Sequence, residues 1–151
     1  METMWYEDAE LGVRFSTGAR TVTEADVVNF AGVSGDFNEL HMNADMMAES
    51  QFGARIVHGA LVLSIATGLR SQTRLFNESI IAFAEIRSWR FQAPVFIGDT
   101  IHVENEVVER RLTSKPDRGL VVQRVDVVNQ HGAVVQSGEM VSMLRLKGAA
   151  A

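Results

Sequence analysis

No cysteine occurs among the 151 residues, which removes disulfides, thiolate metal sites and a cysteine nucleophile together. The formal net charge is −5, and no basic stripe is present of the kind that neutralises nucleic-acid phosphates. A phosphate-bearing small molecule is still compatible, because a few local arginines can hold one on an acidic protein. Arg55, Arg70, Arg74, Arg87 and Arg90 are candidate phosphate or carboxylate partners, although most exposed arginines are simply solvated. The longest apolar stretch, Gly59 to Leu69, is interrupted by Ser64, Thr67 and Gly68 and falls well short of the ~20 residues that span a bilayer. The N-terminus, METMWYEDAELG, has no apolar run behind basic residues, so no secretory signal is read there. No repeat, low-complexity tract or Pro/Gly/Ser-rich linker divides the chain. One soluble, cytoplasmic domain over residues 1–151 is expected, long enough to bury roughly 70% of its unfolded surface. P-loop, dinucleotide-glycine, HExxH and G-x-S-x-G motifs are all missing.

The pattern that is present changes halfway along. Thr23 followed by Glu24, Ala25 and Asp26 predicts a capped helix start, with Val27, Val28, Phe30 and Ala31 supplying its apolar face. That helix should stop between Gly32 and Gly35, and a second, short one should begin after Asn43 with Met46, Met47 and Phe52 turned inward. His58 to Phe76 is the longest helical pattern, apolar nearly all round, as a buried core helix is. From Ser79 onward four Val/Ile-rich stretches read as strands. Ile101, Val103, Asn105 and Val107 alternate with His102, Glu104 and Glu106, and the turns SKPDRG and NQHGA make neighbours antiparallel. The class is α+β: a long antiparallel sheet with one apolar helix against it. A second copy of the chain would cover the edge and the remaining apolar surface.

Asp36, Asn38 and His41 lie within six residues of the loop SGDFNELH. Each alone fits helix-exit or Asx-turn chemistry. Together they also suit proton transfer, since turns need no imidazole and a carboxylate five residues from a histidine can share a bound water with it. Gly59 opens the long helix, where unpaired N–H groups and the helix dipole would stabilise a developing oxyanion. Close packing would equally explain a glycine there. Ser64 and Thr67 share a helix face; their hydroxyls either bond back to the helix or support a pocket. His58 reads as a packing or loop residue, and His102 and His131 as solvated. The seven methionines read as gap-filling core.

SGDFNELH followed by FGARIVHGALVLS resembles the signature of the MaoC-like dehydratases, or (R)-specific enoyl-CoA hydratases: [ST]-G-D-x-N-P-[IL]-H, then I-x-H-G opening a central helix. FQAPVFIGDTI matches a further strand of that family, and the likeness runs from about Val22 to Leu146. Glu39 departs from it, standing where the family has Pro. The resemblance implies a hotdog fold, an antiparallel sheet wrapped around the helix from His58 to Leu75, paired as a homodimer. It implies reversible hydration of a trans-2-enoyl-CoA to the (R)-3-hydroxyacyl-CoA. Asp36 and His41 would hold the water, Gly59 would offer its N–H to the thioester oxygen, and Asn38, Ser64 and Thr67 would support them. Coenzyme A enters only as part of the substrate; no cofactor, metal, nucleic acid or membrane is implied. A hotdog thioesterase and a non-catalytic acyl-CoA-binding subunit are the alternatives. Thiol release without hydration would mark the first, and binding without turnover the second.

Overall fold

The computed structural model describes residues 2–149. After a 3-10 turn at Tyr6–Asp8 come two short strands, β1 (Arg14–Ser16) and β2 (Arg20–Thr21), and three helices, α1 (Glu24–Ser34), α2 (Glu39–Met42) and α3 (Ala44–Ala48). The long helix α4 (Gly59–Gln72) precedes four long strands: β3 (Ile80–Phe91), β4 (Thr100–Leu112), β5 (Arg118–Asn129) and β6 (Val134–Arg145). The sheet order is β1-β4-β5-β6-β3, with β2 also paired to β4, and every pairing is antiparallel.

α1 starts as its sequence dictates. The Thr23 hydroxyl accepts from the Asp26 N–H at 3.3 Å, and the Asp26 carboxylate accepts from the Thr23 N–H at 2.9 Å. It stops at Gly35, whose φ of 77° lies in the left-handed region that glycine enters freely. Val27 and Ala31 are buried one turn apart, whereas Val28, expected on the same face, is rotated out to solvent.

α4 buries Leu61, Val62, Ile65, Ala66 and Leu69 against Val103, Val125, Val127 and Met140 of the sheet. Each large aliphatic side chain so buried contributes about 1.5–3 kcal/mol. The helix is shorter than the His58 to Phe76 span expected from its apolar pattern and the His58 to Leu75 span implied by the resemblance, since the chain turns off after Gln72. The expected alternation in β4 is present: Ile101, Val103, Asn105 and Val107 are buried. Met47 of α3 is fully buried and Phe52 half-buried, but Met46 faces solvent, because neighbouring residues on a helix point about 100° apart.

Three elements were not expected. β1 and β2 are too short to show alternation, and α2 is a single turn with no periodicity. β3 lies at the sheet edge, bonded only to β6 among the described residues, with Ile80, Phe83, Ile86 and Phe91 largely exposed along it.

Candidate active site

The loop between α1 and α2 is folded by its own side chains. Ser34 Oγ accepts from the Asp36 N–H at 3.1 Å, Asp36 Oδ1 from the Asn38 N–H at 3.2 Å, and Asn38 Oδ1 from the Leu40 N–H at 2.9 Å. Asn38 is thus the N-cap of α2, the single turn that carries His41. Such successive caps supply the partners that a four-residue helix cannot supply itself.

His41 is buried, 8% exposed. Its Nδ1 donates to the Ile56 carbonyl at 2.7 Å, so in the neutral ring the lone pair lies on Nε2. That atom stands 3.8 Å from Asp36 Oδ2, too far for a direct hydrogen bond and suited to a water held between the two. The Asp36 side chain is half exposed, 51%. A second tie comes from Arg55, which donates to the His41 carbonyl at 3.4 Å and pairs with Glu24 at the start of α1. The Arg55 hydrogen bond holds the Glu24 carboxyl below the usual range, and Glu24 raises the guanidinium in turn.

His58 is the residue that sequence reasoning left out of the site. It is buried as expected, at 2% exposure, but its ring stacks on His41 with centroids 3.7 Å apart. Phe30 meets the His58 ring edge-on at 5.1 Å. Its Nε2 donates to the Asp36 carbonyl at 2.9 Å, leaving a buried Nδ1 without a partner. The I-V-H-G sequence places this histidine just ahead of α4, yet spacing alone cannot reveal a stack on a ring 17 positions away.

Gly59 is the first residue of α4, so its N–H precedes the first intrahelical bond, from Val62 to the His58 carbonyl. A Cβ there would sit 2.7 Å from the Phe91 ring. Its carbonyl accepts from Gln136 Nε2 at 3.0 Å, and Gln136 Oε1 accepts in turn from Trp89 Nε1 at 3.0 Å. A hollow of about 460 Å³ is walled by His41, Phe52, Ile56, Gly59, Phe91 and Gln136 among others, with Asp36 and Asn38 outside its wall.

Asp36, Asn38, His41 and Gly59 are therefore near one another, but Ser64 and Thr67 are elsewhere. The Ser64 hydroxyl donates to the Ala60 carbonyl and that of Thr67 to the Ser64 carbonyl, at 2.8 and 2.7 Å. Neither wall of the His41 hollow includes them; each borders a different depression. Asp36, His41 and His58 each bring one potential ligand atom within 4.8 Å of the others, a spacing that would also admit a cation. Each histidine commits one nitrogen to a backbone carbonyl and keeps the other free.

An antiparallel sheet wrapped on one central helix is the hotdog arrangement. A Mycobacterium tuberculosis protein described as having a double hotdog fold superposes with a TM-score of 0.84 over 99% of this chain and 46% of its own, at 22% identity. Residues 9–129 match the model of the MaoC like domain. The chain belongs to that family. An (R)-specific enoyl-CoA hydratase of Aeromonas caviae is 35% identical over 120 residues, 80% of this chain and 84% of that protein. Protein MaoC of Klebsiella aerogenes is 42% identical over 99 residues, 66% of this chain and 29% of its own length, so the match spans under a third of that relative. A structure of a protein from Archaeoglobus fulgius, described as a monoamine oxidase regulatory protein, is 36% identical with a TM-score of 0.89, covering 97% of both chains. Named relatives thus include hydro-lyases. Among the described residues no helix is long and apolar enough to cross a membrane.

Proposed function

We propose that the protein reversibly adds water to the double bond of a trans-2-enoyl-CoA, giving the (R)-3-hydroxyacyl-CoA. The observation that carries this reading is the facing of Asp36 Oδ2 and His41 Nε2 across 3.8 Å, with the Nδ1 of His41 tied to a carbonyl and the N-terminus of α4 close by. The relationship to the Aeromonas caviae hydratase supports it.

Water held between the two groups gives a proton to His41 Nε2 as its oxygen bonds to C3. The displaced electron pair moves through C2 to the thioester oxygen, where the Gly59 N–H stabilises the enolate charge. The proton taken from the water passes from His41 to Asp36, which delivers it to C2, so the pair ends the turnover as it began. Asn38 holds the loop in which both reside. The chemistry draws on no cofactor or metal, and coenzyme A is present only as the substrate's thiol portion. The exposed apolar side chains along β3 support a homodimer joined at that edge.

The test is direct. Purified protein mixed with crotonyl-CoA should remove the conjugated-thioester absorbance and yield the (R)-3-hydroxy product. Release of free thiol without hydration would reassign the protein as a thioesterase, and binding without turnover as an acyl-CoA-binding subunit.

A further inference from the structure

At the other end of α4 a guanidinium is buried without an acid. Arg70 falls on the buried stripe of the helix, one turn beyond Ala66, and is 8% exposed. It donates to Gln123 Oε1 and to the Met140 sulfur, but its Nε has no partner. The Nε2 of Gln123, itself fully buried, is also unpartnered. Among the described residues no Asp or Glu pairs with Arg70, and burial alone pulls its pKa down to about 10, so it remains a cation at neutral pH. Buried charges are normally paired, because desolvation of an unpaired one is heavily unfavourable.

This group borders a hollow of about 210 Å³, whose other walls include Thr67, Phe76, Ile80, Phe83 and Ser142. Ser71 and Asn77 complete a wall in which three large apolar side chains and a few small polar ones surround one charged group, as suits an organic ligand with a single charged end. Arg70, the charged group in that wall, offers only donors, which selects a group that accepts, and the arginine fork matches a carboxylate.

The hollow and the candidate active site share their framework. Gly59 and Arg70 lie on one helix, eleven residues or about 16 Å apart along the axis, and helical side chains lean back toward the N-terminus. The same two strands wall both ends: Phe91 pairs with Gln136 beside Gly59, and Phe83 with Ser142 beside Arg70. We infer that Arg70 binds a carboxylate at the far end of the acyl chain, so that the preferred substrate is an ω-carboxy enoyl-CoA. This rests on the hydratase reading for the identity of the near end. The axial span, shortened by the reach of the Arg70 side chain back toward the helix N-terminus, sets the length at about six to ten carbons.

Two measurements test it. The first is kcat/KM for trans-2-enoyl-CoA pairs of equal length, one ending in methyl and one in carboxylate. Wild-type protein should favour the carboxylate-ended member about 100-fold, a ratio typical of losing a buried charged hydrogen-bond partner. Arg70→Met should collapse or invert that ratio, and Arg70→Gln, which keeps the side chain polar should the first variant fail to fold, should collapse it too. A ratio near one in wild type, or one that persists in either folded variant, overturns the inference while leaving hydration intact. The second is calorimetric binding of the corresponding saturated acyl-CoAs to the same proteins. If no substrate is hydrated, an Arg70-dependent preference for the carboxylate-ended ligand still upholds the subsite and rejects only the hydratase reading. Equal binding of both ligands rejects the subsite.

Discussion

The two ends of α4 solve the problem of buried polarity in opposite ways. At the first turn, polar side chains are tied to backbone carbonyls: His41 to Ile56, His58 to Asp36 and Gln136 to Gly59. These bonds fix orientations and leave His41 Nε2, the Asp36 carboxylate and the Gly59 N–H for work elsewhere. At the last turn the Arg70 side chain has no hydrogen bond to a backbone group among the described residues, and where the first end orphans one ring nitrogen of His58, here the orphaned donor belongs to a cation. One end is built to hold its groups still, the other to receive a charge from outside the chain.

The contrast breaks most severely if the two facing groups at the first end are not the reacting ones. Asp36→Asn and His41→Gln should each lower kcat by about 10²–10⁴, the usual worth of a positioned acid or base. The double variant should lose little more than the worse single one, because the groups act as a unit. Steady-state hydration of crotonyl-CoA measures this. Wild-type rates in either single variant would move the chemistry elsewhere.

What could be read without coordinates follows from range. Asp36, Asn38 and His41 lie in one short segment whose turn bonds, Asn38 N–H to Asp36 and Leu40 N–H to Asn38, span only two residues, so turn chemistry and clustering exposed them together. Gly59 was legible from its place before an apolar helix. His58 was not, because its role depends on a ring stack across the loop, and Gln136 reaches Gly59 from 77 positions away through the sheet. Ser64 and Thr67 are neighbours on one face as their spacing dictates, yet spacing says nothing of hydroxyls satisfied by their own helix. Arg70 did leave a signal: an arginine in register with Val62, Ala66 and Leu69 interrupts a stripe that is otherwise apolar.

The long-range members sharpen the comparison. His58→Leu keeps bulk but orphans the Asp36 carbonyl, and should lower kcat about tenfold or more while destabilising by about 1–3 kcal/mol. His58→Gln, which can still donate, should recover part of both losses. Gln136→Leu removes the bond to the Gly59 carbonyl and the acceptor of Trp89, with a similar loss of stability. Since Gln136 acts on the substrate only through the helix end, kcat should fall several-fold, on the order of the loss from one weakened oxyanion contact rather than its removal. A change in KM alone would mean that Gln136 merely walls the hollow.

At the other end the same kind of substitution should behave differently. Arg70→Met relieves the desolvation of a buried cation that no acid pairs, which offsets the about 1–3 kcal/mol lost by orphaning Gln123 Oε1. Thermal unfolding should show an unchanged or higher Tm. A fall as large as that of Gln136→Leu would mean that Arg70 is a structural member of the core, and the contrast between the two ends would disappear.

The smallest effect is expected at the clasp behind His41, where Glu24 pairs with Arg55. The Glu24 carboxyl is held below its ordinary 4.5 by the Arg55 hydrogen bond, so the folded state favours the ionised form. Its contribution is therefore fully present above about pH 4.5 and is lost as pH falls through the lower folded value. Asp8 and Asp117 are lowered in the same way by Lys147 and Arg118, so the wild-type acid transition alone cannot isolate Glu24. The difference between wild type and Glu24→Gln can. It should be small at pH 7, because Glu24 is largely exposed, should shrink with added salt, and should vanish in acid as wild-type Glu24 takes up its proton. If the difference instead grows on acidification, the pair is not what binds α1 to the loop carrying His41.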